Sequence, residues 1–243
     1  GKPIEETKRE LGLQTVCKLA SNENPLGPST KAVEAMTQAL TQLHRYPDSA
    51  FYDLREGFSE HYGVDPTWLT FGNGSNELID LLIRTYCEPG QAILTSELAF
   101  VAYRVCAQAA RVQVRQAPLT SQMTFNLQAM ADILGNDSNG GEVRLVFIAN
   151  PNNPTGTYVS ESELAEFMSQ FGGRDDLLVV LDEAYWEFVR AEDYPHSMDF
   201  LRDYENVAVL RTVSKVFGLA GVRLGALMAR PHILDYIDRV RNP

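Results

Sequence analysis

The sequence has little cysteine and an excess of acidic over basic residues. Its three cysteines, Cys17, Cys87 and Cys106, form no CxxC pair and show no metal-ligand spacing, which favours a reduced, cytoplasmic setting and no metal site. We interpret all three as packing residues.

The charge of the chain is strongly negative. Lys and Arg number 21 against 32 Asp and Glu, a formal net charge of −11. Because a nucleic-acid backbone is bound by a basic face, we expect no nucleic-acid partner.

The sequence also lacks long apolar runs. None approaches the ~18 residues of a membrane-spanning helix, and the first residues, GKPIEETKRE, are polar. We therefore expect neither a membrane span nor a secretory signal. The 243 residues suffice for a sizeable core. The chain opens without methionine and stops soon after the helical pattern HILDYIDRV, so we expect the native protein to continue beyond Pro243.

Apolar clusters of strand length alternate with helical patterns along the chain. The predicted strands cover residues 92–95, 112–114, 143–149, 177–181, 207–210 and 224–229. The predicted helices cover residues 30–43, 78–86, 100–109, 161–171 and 233–240. This alternation is typical of an α/β fold in which helices cover a mainly parallel sheet. Pro25, Gly27 and Pro28 mark an extended N-terminal arm able to cross onto another subunit, and we assign residues 1–30 to this arm or to a small-domain segment. Ser29 is expected to be the N-cap of the first helix.

Polar segments follow three of the predicted strands. They read NPNNPTG from Asn150, DEAY from Asp182 and TVSK from Thr212. In open parallel sheets, ligands bind beyond the carboxyl ends of the strands. The sequence therefore places a candidate binding site where these three segments meet.

A glycine-rich turn, GNGSNE, runs from Gly72 to Glu77 and opens a helical pattern. Glycines let backbone amides approach an anion, and a helix N-terminus offers free N–H groups with a partial positive charge. The turn nearly matches the GxGxxG dinucleotide fingerprint, but Glu77 stands at the third glycine position. Two interpretations stay open on these residues alone: a phosphate site and an ordinary glycine turn before a helix.

Two charged residues stand at strand ends that we expect to be buried. A carboxylate at the end of LLVVL is costly unless a cation or hydrogen bonds compensate, so Asp182 requires a positive partner. Helix capping is the alternative, but no obvious helix begins in DEAYWEF, and we favour a functional role.

The second charged residue is a lysine. An amine is nucleophilic only when it is neutral, and desolvation beside another cation promotes the neutral state. Lys215, eight residues before Arg223, is thus a candidate for Schiff-base formation, and an exposed, solvated amine is the alternative.

Pyridoxal phosphate combines the three groups that these features suit: a phosphate, an aldehyde and a ring nitrogen that works best when protonated. The segments ASNENPLGPS, RYPD, GNGSNELIDLL, ANPNNPTG, LDEAYWEF and TVSKVFGLAGVRLG together resemble the fold-type I aminotransferases. Within these they are most similar to the histidinol-phosphate aminotransferases. The resemblance covers essentially the whole chain. It implies a three-layer α/β/α cofactor-binding domain over residues 31–243, and a C-terminal small domain that this chain lacks.

The resemblance implies a role for each residue near the cofactor ring. Lys215 would be the Schiff-base lysine and, once released, would carry the proton between the substrate α-carbon and the cofactor. Asp182 would hold the pyridinium nitrogen. Asn153 and Tyr185 would hydrogen-bond the ring 3-oxygen, although Asn153 also suits an Asn-Pro turn. Phe100 would stack on the ring where many relatives have tyrosine, and an ordinary core residue is the alternative.

The resemblance also assigns residues around the phosphate and the substrate. The phosphate contacts would be Ser75, Asn76, Thr212, Ser214 and Arg223. Tyr46, in RYPD, would reach the phosphate from a neighbouring subunit, which implies a homodimer with shared active sites. A surface tyrosine before a turn proline is the alternative for Tyr46. Asn22 and Asn153 are candidate substrate contacts.

The function implied by the resemblance is that of a cytoplasmic aminotransferase in histidine biosynthesis. It would exchange an amino group between L-histidinol phosphate and 2-oxoglutarate, yielding imidazole acetol phosphate and glutamate. An aromatic amino-acid aminotransferase and a threonine-phosphate decarboxylase remain alternatives, because the family's substrate-gripping residues lie outside this chain. A dinucleotide-binding oxidoreductase would use Gly72, Gly74 and Glu97 but would leave Asp182 and Lys215 without a task. A non-catalytic binding protein or an inert fragment is the third possibility.

Overall fold

A computed structural model describes residues 2–136 and 142–242. Within those ranges the α-helices are α1 (Ile4–Leu11), α2 (Thr30–Ala39), α3 (Tyr52–Tyr62), α4 (Ser75–Tyr86), α5 (Val101–Ala109), α6 (Leu127–Gly135), α7 (Glu161–Phe171), α8 (Ser197–Asp203) and α9 (Pro231–Val240). The strands are β1 (Leu69–Asn73), β2 (Ala92–Ser96), β3 (Gln113–Ala117), β4 (Val143–Ala149), β5 (Leu178–Asp182), β6 (Val207–Thr212) and β7 (Leu224–Ala229). Short 3₁₀ helices cover Leu40–Gln42, Pro66–Trp68, Trp186–Phe188 and Ala220–Val222. No helix in the described ranges is long and apolar enough to cross a bilayer.

The strands form one mixed sheet in the order β1-β7-β6-β5-β4-β2-β3. β7 runs antiparallel to both β1 and β6, and every other neighbouring pair is parallel. The prediction of a mainly parallel sheet is therefore confirmed. β2, β5 and β6 are buried along their whole length, so helices cover both faces of the sheet and the architecture is a three-layer α/β/α sandwich.

Several predicted elements match the structure closely. The bounds predicted for β4, β7 and α7 are those observed. α7 begins with a capping box, in which the Ser160 hydroxyl accepts from the Glu163 N–H and the Glu163 carboxylate accepts from the Ser160 N–H. Ser29 caps α2 as predicted, because its hydroxyl oxygen accepts a hydrogen bond from the Ala32 N–H.

Four of the described helices, α1, α3, α6 and α8, lie where no helix is predicted above. α1 and α3 bury no residue fully. α3 nevertheless carries a signal that was missed, since Leu54, Phe58 and Tyr62 recur at four-residue spacing and pack against the core. α6 does carry a signal, since Asn126 caps it and its buried residues repeat at helical spacing. α8 has seven residues, too few to establish a period.

The interpretation of the cysteines as packing residues needs one correction. Cys87 and Cys106 are buried, whereas Cys17 is exposed, so the prediction for Cys17 is wrong. The physical reason is its position in the segment between α1 and α2, residues 12–29, which contains no fully buried residue.

Candidate active site

A cavity of about 700 Å³ lies at the carboxyl edge of the sheet. It is bounded by the segments that follow β4, β5 and β6, by the first turn of α4 and by the segment that precedes β7. β7 contributes here because it is antiparallel, so its amino end lies beside the carboxyl end of β6. The residues singled out from the sequence that line this cavity are Ser75, Asn76, Phe100, Asn153, Asp182, Tyr185, Thr212, Ser214, Lys215 and Arg223.

Asp182 is the last residue of β5 and its side chain is buried, with the residue 4% exposed. Its Oδ2 accepts a 2.6 Å hydrogen bond from the Tyr103 hydroxyl. Among the described residues, its Oδ1 has no hydrogen-bond partner. Burial raises the pKa of Asp182, and the Tyr103 hydrogen bond and the charge of Lys215 oppose that rise. A buried carboxylate oxygen without a partner is suited to accept from a protonated ring nitrogen.

Lys215 follows β6 and shares the cavity with Asp182. Its Nζ donates to the Ser21 carbonyl oxygen at 3.1 Å and lies 5.4 Å from the centroid of the Tyr185 ring. Ser21 and Asn22 both have positive φ, 73° and 49°, a conformation that costs energy in residues other than glycine. The N-terminal segment is thus bent so that a carbonyl oxygen meets the amine of Lys215.

Five of the lining residues form what we call the anion cradle: Ser75, Asn76, Thr212, Ser214 and Arg223. Gly74 precedes α4 with φ of 77°, and no side chain caps the helix, so its first amides are left for a ligand. A Cβ at Gly74 would stand 2.2 Å from Arg223 Nη2, so only glycine lets the guanidinium lie over this turn. The Thr212 and Ser214 hydroxyls are 3.0 Å apart on the other side. Free amides, hydroxyls and a guanidinium together suit a phosphate group.

Gly225 of β7 permits the close approach between β7 and the start of α4. A Cβ at this position would lie 2.4 Å from Ser75 N. Any larger residue would therefore push away the first turn of α4, on which the anion cradle depends.

The other predicted site residues lie around the ring position or outside the cavity. Phe100 immediately precedes α5, and its ring contacts that of Tyr103 edge-on, with 5.8 Å between the centroids. Asn22 does not line the main cavity; its Nδ2 donates to Tyr185 Oη at 2.9 Å, and it borders an adjoining cavity of about 390 Å³ with Asn153. Tyr46 is 94% exposed and lies outside both cavities, so this single chain does not bring it to the site.

Glu97, the acid that a dinucleotide site would require, also lies outside the main cavity. Its Oε1 accepts from the Leu119 N–H at 3.1 Å. Because Glu97 lies outside the cavity, it is not placed to bind a ribose there, and the dinucleotide-binding interpretation loses its acidic ligand.

Tyr103 and Ser21 are site residues that sequence reasoning missed. Tyr103 is fully buried in α5. Because a buried tyrosine hydroxyl needs a polar partner, a tyrosine among the apolar residues of this helix could have been recognised as a contact of a buried polar group. Nothing in the sequence signals the Ser21 carbonyl, because any residue supplies a backbone oxygen.

Comparisons with known proteins agree with this geometry. A family model described as aminotransferase class I and II matches residues 14–243. A histidinol-phosphate aminotransferase of Bdellovibrio bacteriovorus is 50% identical and one of Anaeromyxobacter sp. is 46% identical, each match covering 100% of this chain and 65% of the relative. A crystal structure of histidinol-phosphate aminotransferase from Sinorhizobium meliloti in complex with pyridoxal-5'-phosphate has a TM-score of 0.90 at 27% identity, covering 100% of this chain and 64% of that one. The chain thus spans about 65% of the length of the curated relatives.

Proposed function

Because the chain belongs to the class I and II aminotransferase family, we propose that it binds pyridoxal 5'-phosphate and transfers an amino group from L-histidinol phosphate to 2-oxoglutarate. The products are imidazole acetol phosphate and L-glutamate, a step of histidine biosynthesis. One observation carries the proposal: Lys215, the unpartnered oxygen of Asp182 and the anion cradle line a single cavity. One small molecule with an aldehyde, a ring nitrogen and a phosphate would engage all three.

The lining residues fit the functional groups of this cofactor. Asp182 Oδ1 would accept from the ring N–H, and the anion cradle would bind the phosphate through N–H groups and the guanidinium of Arg223. Asn153 and Tyr185 would hydrogen-bond the ring 3-oxygen, and Phe100 would cover one face of the ring. The assignment uses all the sequence-predicted residues that line the cavity.

Lys215 has the central task in the proposed reaction. When bound, the cofactor supplies an electron sink for the pair released at the substrate α-carbon. Lys215 Nζ would take the proton from that carbon and return it to the adjacent carbon of the cofactor. Asp182 is buried, so its charge acts on the ring through a medium of low dielectric, where ionic interactions are strong.

A panel of amino donors tests the substrate of this proposal. With 2-oxoglutarate as acceptor, we expect kcat/KM for histidinol phosphate to exceed that for phenylalanine by at least ~10²-fold, because a site built to bind a polar group rejects analogues that lack it. Threonine phosphate is expected to release no carbon dioxide. The experiment uses the full-length protein, and cofactor uptake is measured in the same samples. A preference for phenylalanine, or decarboxylation of threonine phosphate, would contradict the proposed substrate.

The hydrogen bond from Tyr103 to Asp182 gives a second prediction. Tyr103→Phe removes a donor that favours the ionised carboxylate, so the pKa of Asp182 rises further and the affinity for pyridoxal phosphate falls by about 10-fold. Titration of the cofactor-free protein with cofactor measures this loss. Tyr158→Phe is the matched control, since Tyr158 donates to the exposed carboxylate of Asp193 at 2.8 Å and does not line the main cavity. Equal affinities in the two variants would argue against the role of Tyr103.

We further propose that the protein is a cytoplasmic homodimer and that residues 1–30 form an arm crossing onto the second subunit. The support is a set of exposed apolar residues in the first part of the chain: Leu19 (89%), Leu26 (92%), Leu43 (75%), Tyr46 (94%) and Tyr52 (67%). Apolar surface of this extent is typical of an interface. In such a dimer Tyr46 would reach the phosphate site of the partner subunit.

Mixing two variants tests the shared site, with the assay run at a cofactor concentration too low to load the Tyr46→Ala parent. If each site combines Lys215 of one subunit with Tyr46 of the other, Lys215→Ala and Tyr46→Ala subunits form hybrids with one intact site. An equal mixture, exchanged through dissociation and reassociation, is expected to regain about a quarter of wild-type activity. A mixture no more active than its two parents would show that each subunit builds its site alone.

A further inference from the structure

A buried ion pair lies directly behind the candidate site. Glu183 follows Asp182, and Arg211 precedes Thr212 at the end of β6; both are 1% exposed. Arg211 Nη2 and Nε lie 2.5 Å and 2.8 Å from Glu183 Oε2. Burial raises the pKa of Glu183, and the charge of Arg211 opposes that rise.

The carboxylate of Glu183 also connects two other parts of the fold. Its Oε2 accepts from the Ser197 hydroxyl at 2.8 Å, at the start of α8. Its Oε1 lies 3.1 Å from the Tyr194 hydroxyl, which also contacts the Asn150 carbonyl oxygen. Asn150 is the first residue after β4, in the segment that carries Asn153. One carboxylate is therefore tied to the ends of β4 and β6 as well as to its own strand, β5.

The guanidinium of Arg211 makes a further connection through aromatic rings. Its Cζ lies 3.8 Å from the centroid of the Trp186 ring and 4.8 Å from that of the Tyr62 ring. Trp186 follows Tyr185 immediately, so this contact acts on the segment that presents Tyr185 to the cavity. The cation–π contacts and the ion pair hold Arg211 from two sides.

The pair is separated from the cavity by the sheet itself. Neighbouring residues of a strand point to opposite faces, so Asp182 and Thr212 face the cavity while Glu183 and Arg211 face away. Neither Glu183 nor Arg211 lines the main cavity. The two residues thus act on the site indirectly, through the backbone that they share with it and through their contacts with Trp186 and Tyr194.

We propose that Glu183 and Arg211 form a positioning pair that fixes the three strand ends carrying Asn153, Asp182 and Lys215 relative to one another. This inference rests on the function proposed above. Stability alone does not explain the pair, because well-packed apolar residues commonly replace a buried ion pair without loss of stability. An ion pair with directed hydrogen bonds, in contrast, sets distances and angles that apolar packing leaves free.

Two variants of the full-length protein separate positioning from stability. Glu183→Gln keeps the shape of the side chain but removes its charge. The double variant Glu183→Leu with Arg211→Met replaces the pair by apolar side chains of similar size. Asp199→Asn is the control, because Asp199 pairs with Arg202 at 2.5 Å on the surface, with both side chains more than half exposed. Each protein is assayed well below its melting temperature.

The readouts are kcat, KM, the dissociation constant of pyridoxal phosphate and the visible circular dichroism of the bound cofactor, which reports its orientation. We expect kcat to fall by about 10- to 100-fold in both test variants, with KM changed by less than about 3-fold and the circular dichroism band altered. The control is expected to match the wild type.

Two results would overturn the assignment: a double variant with wild-type kcat and circular dichroism, or a Glu183→Gln variant indistinguishable from the control. The wild-type protein distinguishes a failure of the positioning role from a failure of the proposed function. If the wild type takes up no cofactor, the proposed function fails and the positioning role fails with it. If the wild type is loaded and active beside unaffected variants, the positioning role alone fails.

Discussion

Replacing Lys215 with alanine is expected to lower turnover by about 10⁴-fold, because the substrate α-carbon then lacks the amine that would move its proton. Single-turnover kinetics on the full-length protein measure this loss. The chain has only four other lysines, Lys2, Lys8, Lys18 and Lys31, all near its beginning. Lys31→Ala, on the exposed side of α2, is the matched control and should retain full activity.

Chemical labelling tests the same prediction without relying on turnover. Borohydride reduction of the cofactor-loaded protein, followed by peptide mapping, is expected to place a pyridoxyl group on Lys215. Within these 243 residues the peptide is easily distinguished, because Lys215 is the one lysine after residue 31. A label on any other lysine, or none at all, would refute the role assigned to Lys215.

Asp182→Asn is expected to lower kcat by about 10²-fold, equivalent to about 3 kcal/mol, because the ring nitrogen loses its buried counter-charge. Asparagine keeps an oxygen that can accept from Tyr103, so the shape of the site is preserved. Cofactor is therefore expected to remain partly bound, as its phosphate contacts are unchanged. Wild-type turnover in this variant would show that Asp182 does not act on the ring.

The same substitution is expected to make the cofactor-free protein more stable at neutral pH. Burial raises the pKa of Asp182 above its ordinary value of 3.8, so folding favours the neutral carboxyl. Its stabilising contribution is complete below pH 3.8 and is lost as the pH rises through the higher pKa of the folded state. Asparagine stays neutral and avoids this loss.

Melting temperatures of the cofactor-free wild type and Asp182→Asn, measured from neutral pH downward, test that expectation. The difference should be largest near neutrality and should shrink as the pH approaches 3.8. Asp199→Asn serves as the exposed control. A variant that melts below the wild type at neutral pH would contradict the argument.

Much of the sheet and of the cavity lining could be predicted from the sequence. The central strands are buried on both faces, so they appear as continuous apolar runs, and β4 and β7 were located to the residue. Polar residues directly after such runs are conspicuous, which is why Asp182 and Lys215 could be placed at one edge of the sheet.

Contacts between distant parts of the chain could not be predicted in this way. Tyr103 and Asp182 are 79 residues apart, and neither position indicates the other until the fold brings the Tyr103 hydroxyl of α5 to the end of β5. Glu183 and Arg211 each resemble surface charges when considered alone, because charged residues are seldom fully buried. Their partnership depends on strand register, which periodicity does not supply.

The direction of β7 also limits where this chain can change in length. Lys215 and Arg223 lie on one short connection that is anchored at both ends, since Thr212 pairs with Gly225. An insertion between them would move the amine or the guanidinium, because only the short 3₁₀ helix Ala220–Val222 lies between them and the connection has no slack to absorb extra residues. Protein engineers who recombine relatives, permute termini or add tags should leave residues 213–224 intact and open the chain elsewhere.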